Sequence, residues 1–189
     1  MKIMALLGSS RRNGNTEYLV DRALKGVTFK KRYLLDYQIN PIIDQRHTPE
    51  GFTESEDDYE ELFAEFMKQD IIIFATPLYW FGMSGQMKTF FDRWSQYMRE
   101  DQYEFEHLMS RKKAYVIVTG ENPDPKVAAL PLIQQFHHIC AYTGMELADY
   151  IISKGNKPAE IEKDTLSLQK ASLWNKEFSN LTAKAGIVD

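Results

Sequence analysis

Residues 6–16 read Leu6-Leu7-Gly8-Ser9-Ser10-Arg11-Arg12-Asn13-Gly14-Asn15-Thr16, a loop of glycines, hydroxyls and asparagines between an apolar run and an amphipathic one. A loop of that composition turns backbone N–H groups toward an anion, and a helix start behind it adds partial positive charge. The chemistry it suits is a phosphate seat. Two familiar phosphate loops are excluded by spelling. The Walker pattern needs a lysine after its second glycine, where Asn15 and Thr16 follow Gly14, and the dinucleotide fingerprint needs three glycines where only Gly8 and Gly14 stand. A terminal phosphate monoester remains, held by hydroxyl or amide groups of Ser9, Ser10, Asn15 and Thr16 and by main-chain N–H, with Ser10 expected to face the phosphate. The same residues also suit an ordinary turn in which Asn15 or Thr16 caps the helix.

A second stretch, Thr76-Pro77-Leu78-Tyr79-Trp80-Phe81-Gly82-Met83-Ser84-Gly85, puts three aromatics in a row inside a loop. Rings at a loop tip need something to pack on, and beside a phosphate seat a flat conjugated ring is the natural partner. They could equally be core or interface residues near a sheet edge.

The elements that position these loops follow from hydrophobic pattern. Residues 3–7 form a buried strand and residues 17–25 a helix; residues 28–37 alternate like a strand near a sheet edge. Residues 38–53, with Pro41, Pro49 and Gly51, read as a long loop. Ser55 and Asp58 stand at capping-box spacing and open a helix that runs to about Lys68. Ile71, Ile72, Ile73, Phe74 and Ala75 are continuous and apolar, as in a central parallel strand covered on both faces. A helix over 83–99, a polar stretch through Ser110, a strand over 114–119, a helix over 131–142, a strand over 146–153 and a helix over 159–183 complete the chain. Five strands alternating with five helices predict a three-layer α/β sandwich: a parallel sheet in order 2-1-3-4-5 with helices on both faces. Ligands bind such sheets where the strand order reverses, so the loops after Leu7 and after Thr76 should face each other.

The 189 residues are expected to form one domain, 1–189, with 43% hydrophobic and 26% charged residues arguing against disorder. A net charge of -4 offers no electrostatic case for nucleic acid or an acidic membrane, and no apolar run is long enough to span one. The single cysteine, Cys140, fits a reducing compartment, and the expected location is the cytoplasm.

The two loops, together with Gln86-Met87-Lys88-Thr89-Phe90-Phe91-Asp92-Arg93 after the second, resemble those of the flavodoxin-like NADPH-dependent FMN reductases and their NAD(P)H–quinone reductase relatives. That resemblance implies FMN as cofactor and NADPH or NADH as co-substrate. It implies that Ser9, Ser10, Arg11, Asn13, Gly14, Asn15 and Thr16 cradle the FMN phosphate, that Pro77, Leu78, Tyr79, Trp80, Phe81 and Gly82 contact the isoalloxazine, and that a third loop over 119–122 (Thr119, Gly120, Glu121, Asn122) approaches the pyrimidine end. Electrons would pass from the nicotinamide to a quinone, azo compound, nitroaromatic or free flavin, with no catalytic side chain demanded. Arg11 or Arg12 could reach a phosphate of either nucleotide. Iron–sulfur relatives carry a cysteine cluster between strand 2 and the next helix, where residues 40–55 here contain no cysteine, so no cluster is expected there. An electron carrier or a flavin-free binding protein are the rival readings on this fold.

His137 and His138 are adjacent and cannot form the i, i+4 pair of a zinc site, and His47 and His107 lack companions at metal spacing, so no metal is expected. Met83, Met87, Phe90, Phe91, Trp94 and Met98 form an apolar stripe that predicts core packing and, by its width around residues 80–98, a homodimer contact. The acidic run over 54–61 reads as a helix start with a solvated face, and Cys140 as a small buried hydrophobe.

Overall fold

Central strands buried on both sides have no polar position to offer, and their uninterrupted apolar runs give the sheet its place in the middle of the molecule. The computed structural model describes residues 1–53, 55–99, 104–121 and 123–185, so Glu54 and Asn122 lie outside the described residues. Its strands are β1 (Ile3–Leu7), β2 (Lys30–Tyr33), β3 (Ile71–Pro77), β4 (Lys113–Gly120) and β5 (Glu146–Lys154). They pair in parallel throughout, in the order β2-β1-β3-β4-β5. Successive side chains alternate between two cores. Ile3, Ala5, Leu7, Ile71, Ile73, Ala75 and Ile117 pack against α1 (Asn15–Ala23) and α8 (Thr165–Ala185). Met4, Leu6, Ile72, Phe74, Val116 and Val118 pack against α2 (Tyr59–Met67), α3 (Gly85–Asp92), α4 (Trp94–Tyr97), α5 (Phe105–Ser110) and α7 (Leu130–Thr143). The short α6 (Pro125–Ala128) follows β4. This is the flavodoxin-like three-layer sandwich.

Several boundaries differ from the sequence expectation. The capping box at Ser55 does not form, and α2 begins at Tyr59. Asp57 and Asp58 are spent on the preceding loop instead. Asp57 accepts the Asn40 N–H at 2.9 Å and the Tyr59 N–H at 3.1 Å, and Asp58 accepts the Gln38 N–H at 2.7 Å. The helix over 83–99 divides at Arg93, where Gln96 N–H reaches the Arg93 carbonyl at 3.1 Å and tightens the turn to i, i+3 spacing. Helices also appear over Phe105–Ser110, inside the stretch read as polar, and over Pro125–Ala128, so the count of five was too low.

The apolar stripe on α3 and α4 is used up inside the molecule. Met83, Met87, Phe90, Phe91 and Trp94 are buried in the second core and Met98 packs against it. Phe91 and Trp94 meet edge-on with ring centroids 4.6 Å apart, and Tyr59 donates its hydroxyl to the Phe90 carbonyl at 2.8 Å. The stripe on α3 and α4 therefore faces inward, and of the large apolar groups around residues 80–98 Trp80 and Phe81 stay exposed. Cys140 is buried, and burial pushes its thiol up to about 12, as a packed hydrophobe requires.

Candidate functional site: an anion cradle at the strand-order reversal

Parallel register brings four loops to one edge of the sheet. Leu7 pairs with Ala75, Pro77 with Thr119, and Gly120 with Lys154. Backbone bonds just past the strand ends extend the ladder: Gly8 N–H to Ala75 O, Leu78 N–H to Thr119 O and Gly155 N–H to Gly120 O, each 2.8 Å. Between the loops lies a cavity of about 240 Å³ lined by Ser9, Arg11, Gly14, Asn15, Thr16, Pro77, Leu78, Tyr79, Thr119, Gly120 and Glu121, with Gly155, Asn156 and Pro158.

Helix α1 supplies the cradle. Gly14 is its N-cap and offers no side-chain cap, so the N–H groups of Asn15 and Thr16 keep no protein acceptor among the described residues. Thr16 is buried, and its hydroxyl likewise has no protein partner among them. Ser9 accepts the Arg11 N–H at 3.1 Å and keeps its own proton to donate. Unspent donors at a helix start, beside an arginine, make a seat for a dianion. Arg11 is the one cation among the described residues lining the cavity, and its Nη1 donates to the Asn156 carbonyl at 2.8 Å.

Other expected phosphate ligands are placed differently. Ser10 is exposed and outside the cavity lining. Arg12 pairs with Asp36 and lies over the Tyr33 ring, 4.1 Å from its centroid, away from the seat. Asn13, in the left-handed region at φ 56, gives its N–H to Glu17 at 2.6 Å. Burial opposes the charge on Glu17, but the Tyr33 hydroxyl, that N–H and Lys31 outweigh it and hold the carboxyl below its ordinary range. Asn15 donates one Nδ2 hydrogen to Lys157 O at 2.9 Å and accepts the Ile161 N–H on Oδ1 at 3.3 Å, which fixes its side chain and leaves its second Nδ2 hydrogen beside its backbone N–H.

Gly8 serves packing rather than the anion. A Cβ there would lie 2.6 Å from Ser84 Oγ and 3.1 Å from Met87, so only glycine lets β1 pass under the start of α3. Ser84 caps α3 by accepting the Met87 N–H at 3.3 Å, and its own N–H is held by Thr76 Oγ1 at 3.0 Å. Those bonds anchor both ends of the aromatic loop.

The loop itself is a tight turn closed by Tyr79 N–H to Gly82 O at 3.0 Å and Gly82 N–H to Tyr79 O at 2.9 Å. Trp80 and Phe81, at φ 48 and 65, both occupy the left-handed region. Two central residues of that hand belong to the turn class that prefers Asn-Gly, and each non-glycine there costs roughly 1–2 kcal/mol. Tyr79 lines the cavity and is 46% exposed; Trp80 and Phe81 stand beyond it at 95% and 51%, and Gly82 also lies outside the lining.

The fourth wall, Gly155, Asn156 and Pro158, was missed from sequence. The signal was there: Gly155-Asn156-Lys157-Pro158 follows the end of β5 as Gly120 ends β4. Asn156 Nδ2 donates to Glu121 at 2.6 Å, which joins the third and fourth walls.

A 2-1-3-4-5 sheet with an anion cradle after its first strand and an aromatic rim after its third defines a flavodoxin-class protein. The chain belongs to the Flavodoxin_2 family, described as having the flavodoxin-like fold, which matches residues 1–176. YwqN of Bacillus subtilis, provisionally named an NAD(P)H-dependent FMN-containing oxidoreductase, is 44% identical over 173 residues, 91% of this chain and 95% of that protein. An iron–sulfur flavoprotein of Archaeoglobus fulgidus is 33% identical over 103 residues, 51% of this chain and 47% of its own length. The solved structure of the Trp repressor binding protein from Bacillus subtilis matches with a TM-score of 0.76 at 38% identity, covering 90% of this chain and 96% of that one.

Proposed function

We propose that this protein is an FMN-dependent NAD(P)H oxidoreductase that passes electrons from a nicotinamide to a small acceptor such as a quinone, azo or nitro compound, or free flavin. One observation carries the reading: the unspent N–H groups of Asn15 and Thr16 open on the cavity that Pro77, Leu78, Tyr79 and Gly120 also line. Bound FMN would supply hydride acceptance and onward electron transfer. The residues' part is to hold it. Ser9, Thr16 and the N–H groups of α1 take the phosphate, with Arg11 beside them. Cavities enclosing a whole ligand of this size run to roughly 300 Å³ and more, and this one is about 240 Å³. Pro77, Leu78 and Tyr79 would hold the ring on one side and Thr119, Gly120 and Glu121 on the other. The functional unit is the whole chain, 1–189, as one FMN-binding domain, a reading supported by two cores sharing one sheet.

Protein incubated with FMN and desalted is expected to be yellow, with flavin absorbance near one equivalent, and anaerobic NADH or NADPH should bleach it. Colourless protein would point to the flavin-free reading, and bleaching by dithionite alone to an electron carrier. Which nicotinamide bleaches faster decides the preference between them.

The reading includes a homodimer in the cytoplasm and no nucleic-acid partner. With the α3–α4 stripe buried, the support for a dimer passes to exposed Val127 and Leu130 after β4, and light scattering of a 22.0 kDa subunit tests it. The buried Cys140 suits a reducing compartment.

A further inference from the structure

The loop before α2 and the junction of α3 with α4 enclose a second cavity of about 480 Å³, twice the volume of the cradle, with which it shares no described lining residue. Ile42, Ile43 and Phe52 give it an apolar wall, and Gln45, Arg93 and Gln96 a polar one. Arg93 and Gln96 are only 3% and 9% exposed. Arg93 spends Nη1 on the Asn40 carbonyl and on Asp57, and Nε on Gln96 Oε1 at 3.3 Å, which leaves Nη2 without an acceptor among the described residues. Gln96 Nε2 has none among them either. Gln45 uses its Oε1, which accepts the Thr53 N–H and hydroxyl at 3.1 Å each, and its Nε2 stays free in the same sense. Among the described residues the sealed side-chain polar atom without a partner is Trp94 Nε1, so the free donors of Arg93 and Gln96 open on the cavity that both residues line. Buried polar groups are as a rule satisfied, and donors left over on a cavity wall call for an acceptor from outside the chain.

We infer that this cavity is a second binding site, for a small monocarboxylate with an apolar body. The carboxylate accepts from Arg93 Nη2 and Gln96 Nε2, and the hydrocarbon part lies against Ile42, Ile43 and Phe52. No carboxylate of the described residues lines the cavity to compete for those donors. Asp57, the ion-pair partner of Arg93, is also held by the Asn40 and Tyr59 N–H groups and by the Ser55 hydroxyl, so it leaves part of the guanidinium to a ligand. Hydrogen bonds to an ionised acceptor are roughly twice as strong as neutral ones, which favours an acid over an amide of the same shape. A volume of about 480 Å³ lies within the range of roughly 300–1,000 Å³ found for small-molecule sites. Because the two cavities are separate, the inference does not depend on the FMN reading.

The test titrates the whole chain with benzoate by calorimetry, with benzamide as its uncharged twin. Benzoate should bind saturably and at least about tenfold tighter than benzamide. In NMR spectra it should shift the side-chain amides of Gln45 and Gln96 and leave the backbone amides of Asn15 and Thr16 in place. Excess inorganic phosphate, an anion suited to the cradle, should not displace it. Gln96→Leu, close in size but without the donor, should weaken benzoate at least about fivefold. Ile43→Asp puts a like charge on the cavity wall at a position 76% exposed, where substitution costs the fold little, and should also weaken benzoate at least about fivefold, with Ile43→Asn losing less than about twofold. Absence of saturable binding, equal affinity for benzamide, displacement by phosphate, or shifts confined to Asn15 and Thr16 overturns the inference. So does unchanged benzoate affinity in either variant; should Gln96→Leu fail to fold, Ile43→Asp decides alone.

Discussion

Ser9→Asp is expected to raise the FMN dissociation constant at least about tenfold, equivalent to roughly 1.4 kcal/mol, while the flavin-free protein melts nearly where it did. Ser9 is buried in the cavity wall, and its Oγ accepts the Arg11 N–H at 3.1 Å. Aspartate is close in size and keeps an acceptor for that N–H, so the loop retains its shape. A carboxylate near a helix start is itself neutral to mildly stabilising. What changes is the charge facing the phosphate. Two like charges about 4 Å apart repel by about 1 kcal/mol in water and about 4 kcal/mol at the effective dielectric of a protein surface. Riboflavin, which has no phosphate, should lose far less. Ser10→Glu is the companion measurement: Ser10 is exposed and outside the cavity, so its affinity should change less than about threefold if charge at the outer face is screened. Fluorescence titration of each variant with FMN and riboflavin decides the matter. A larger loss in Ser10→Glu than in Ser9→Asp would put the phosphate on the outer face of the loop.

Arg93→Met is expected to lower the melting temperature by roughly 6–20 °C, from a cost of about 3–5 kcal/mol for stranding a buried partner charge. The Arg93 and Asp57 side chains are 4% and 1% exposed and form an ion pair. Arg93 Nη1 also donates to the Asn40 carbonyl at 3.2 Å, and its guanidinium lies over the Tyr59 ring at 4.5 Å. It thereby ties the loop before α2 to the end of α3. The penalty should depend on pH. Burial alone would raise the Asp57 carboxyl, but the Asn40 N–H, Arg93 and the Tyr59 N–H outweigh it and hold it below its ordinary value. A carboxyl lowered on folding adds stability above its unfolded value, near 3.9, and that stability is lost as pH falls through the folded value. Without Arg93 the carboxylate keeps the Asn40 and Tyr59 N–H groups but loses its counter-charge, so its value rises relative to wild type and protonation relieves the variant at a higher pH. The melting gap should be widest near pH 8 and narrow toward about pH 5. A gap of constant size over that range would mean that lost packing, not a stranded charge, is the cost.

Burial on both faces makes a strand apolar at every position, and that signature is local, so β1, β3 and β4 and their alternation with helices were legible from the chain alone. Parallel pairing followed from it, whereas the 2-1-3-4-5 order, with its reversal between β1 and β3, is one of several that such alternation allows. Residue chemistry in the loops after Leu7 and Thr76 was legible too, because glycine, hydroxyl and aromatic clusters at strand ends have few uses. Which donors remain free was not, since that depends on partners far away in sequence. Asn15 spends one amide hydrogen on Lys157 and its side-chain oxygen on Ile161, Arg12 pairs with Asp36, and the Asn13 N–H goes to Glu17. Gly8 answers to Ser84 and Met87 rather than to an anion. The stripe on α3 and α4 has the same periodicity whether it meets a partner or its own core, and only the aromatic cluster supplied by α2 and α5 turns it inward. Tertiary structure alone set the left-handed backbone of Trp80 and Phe81, because closure between Tyr79 and Gly82 imposes it against the residues' own preference.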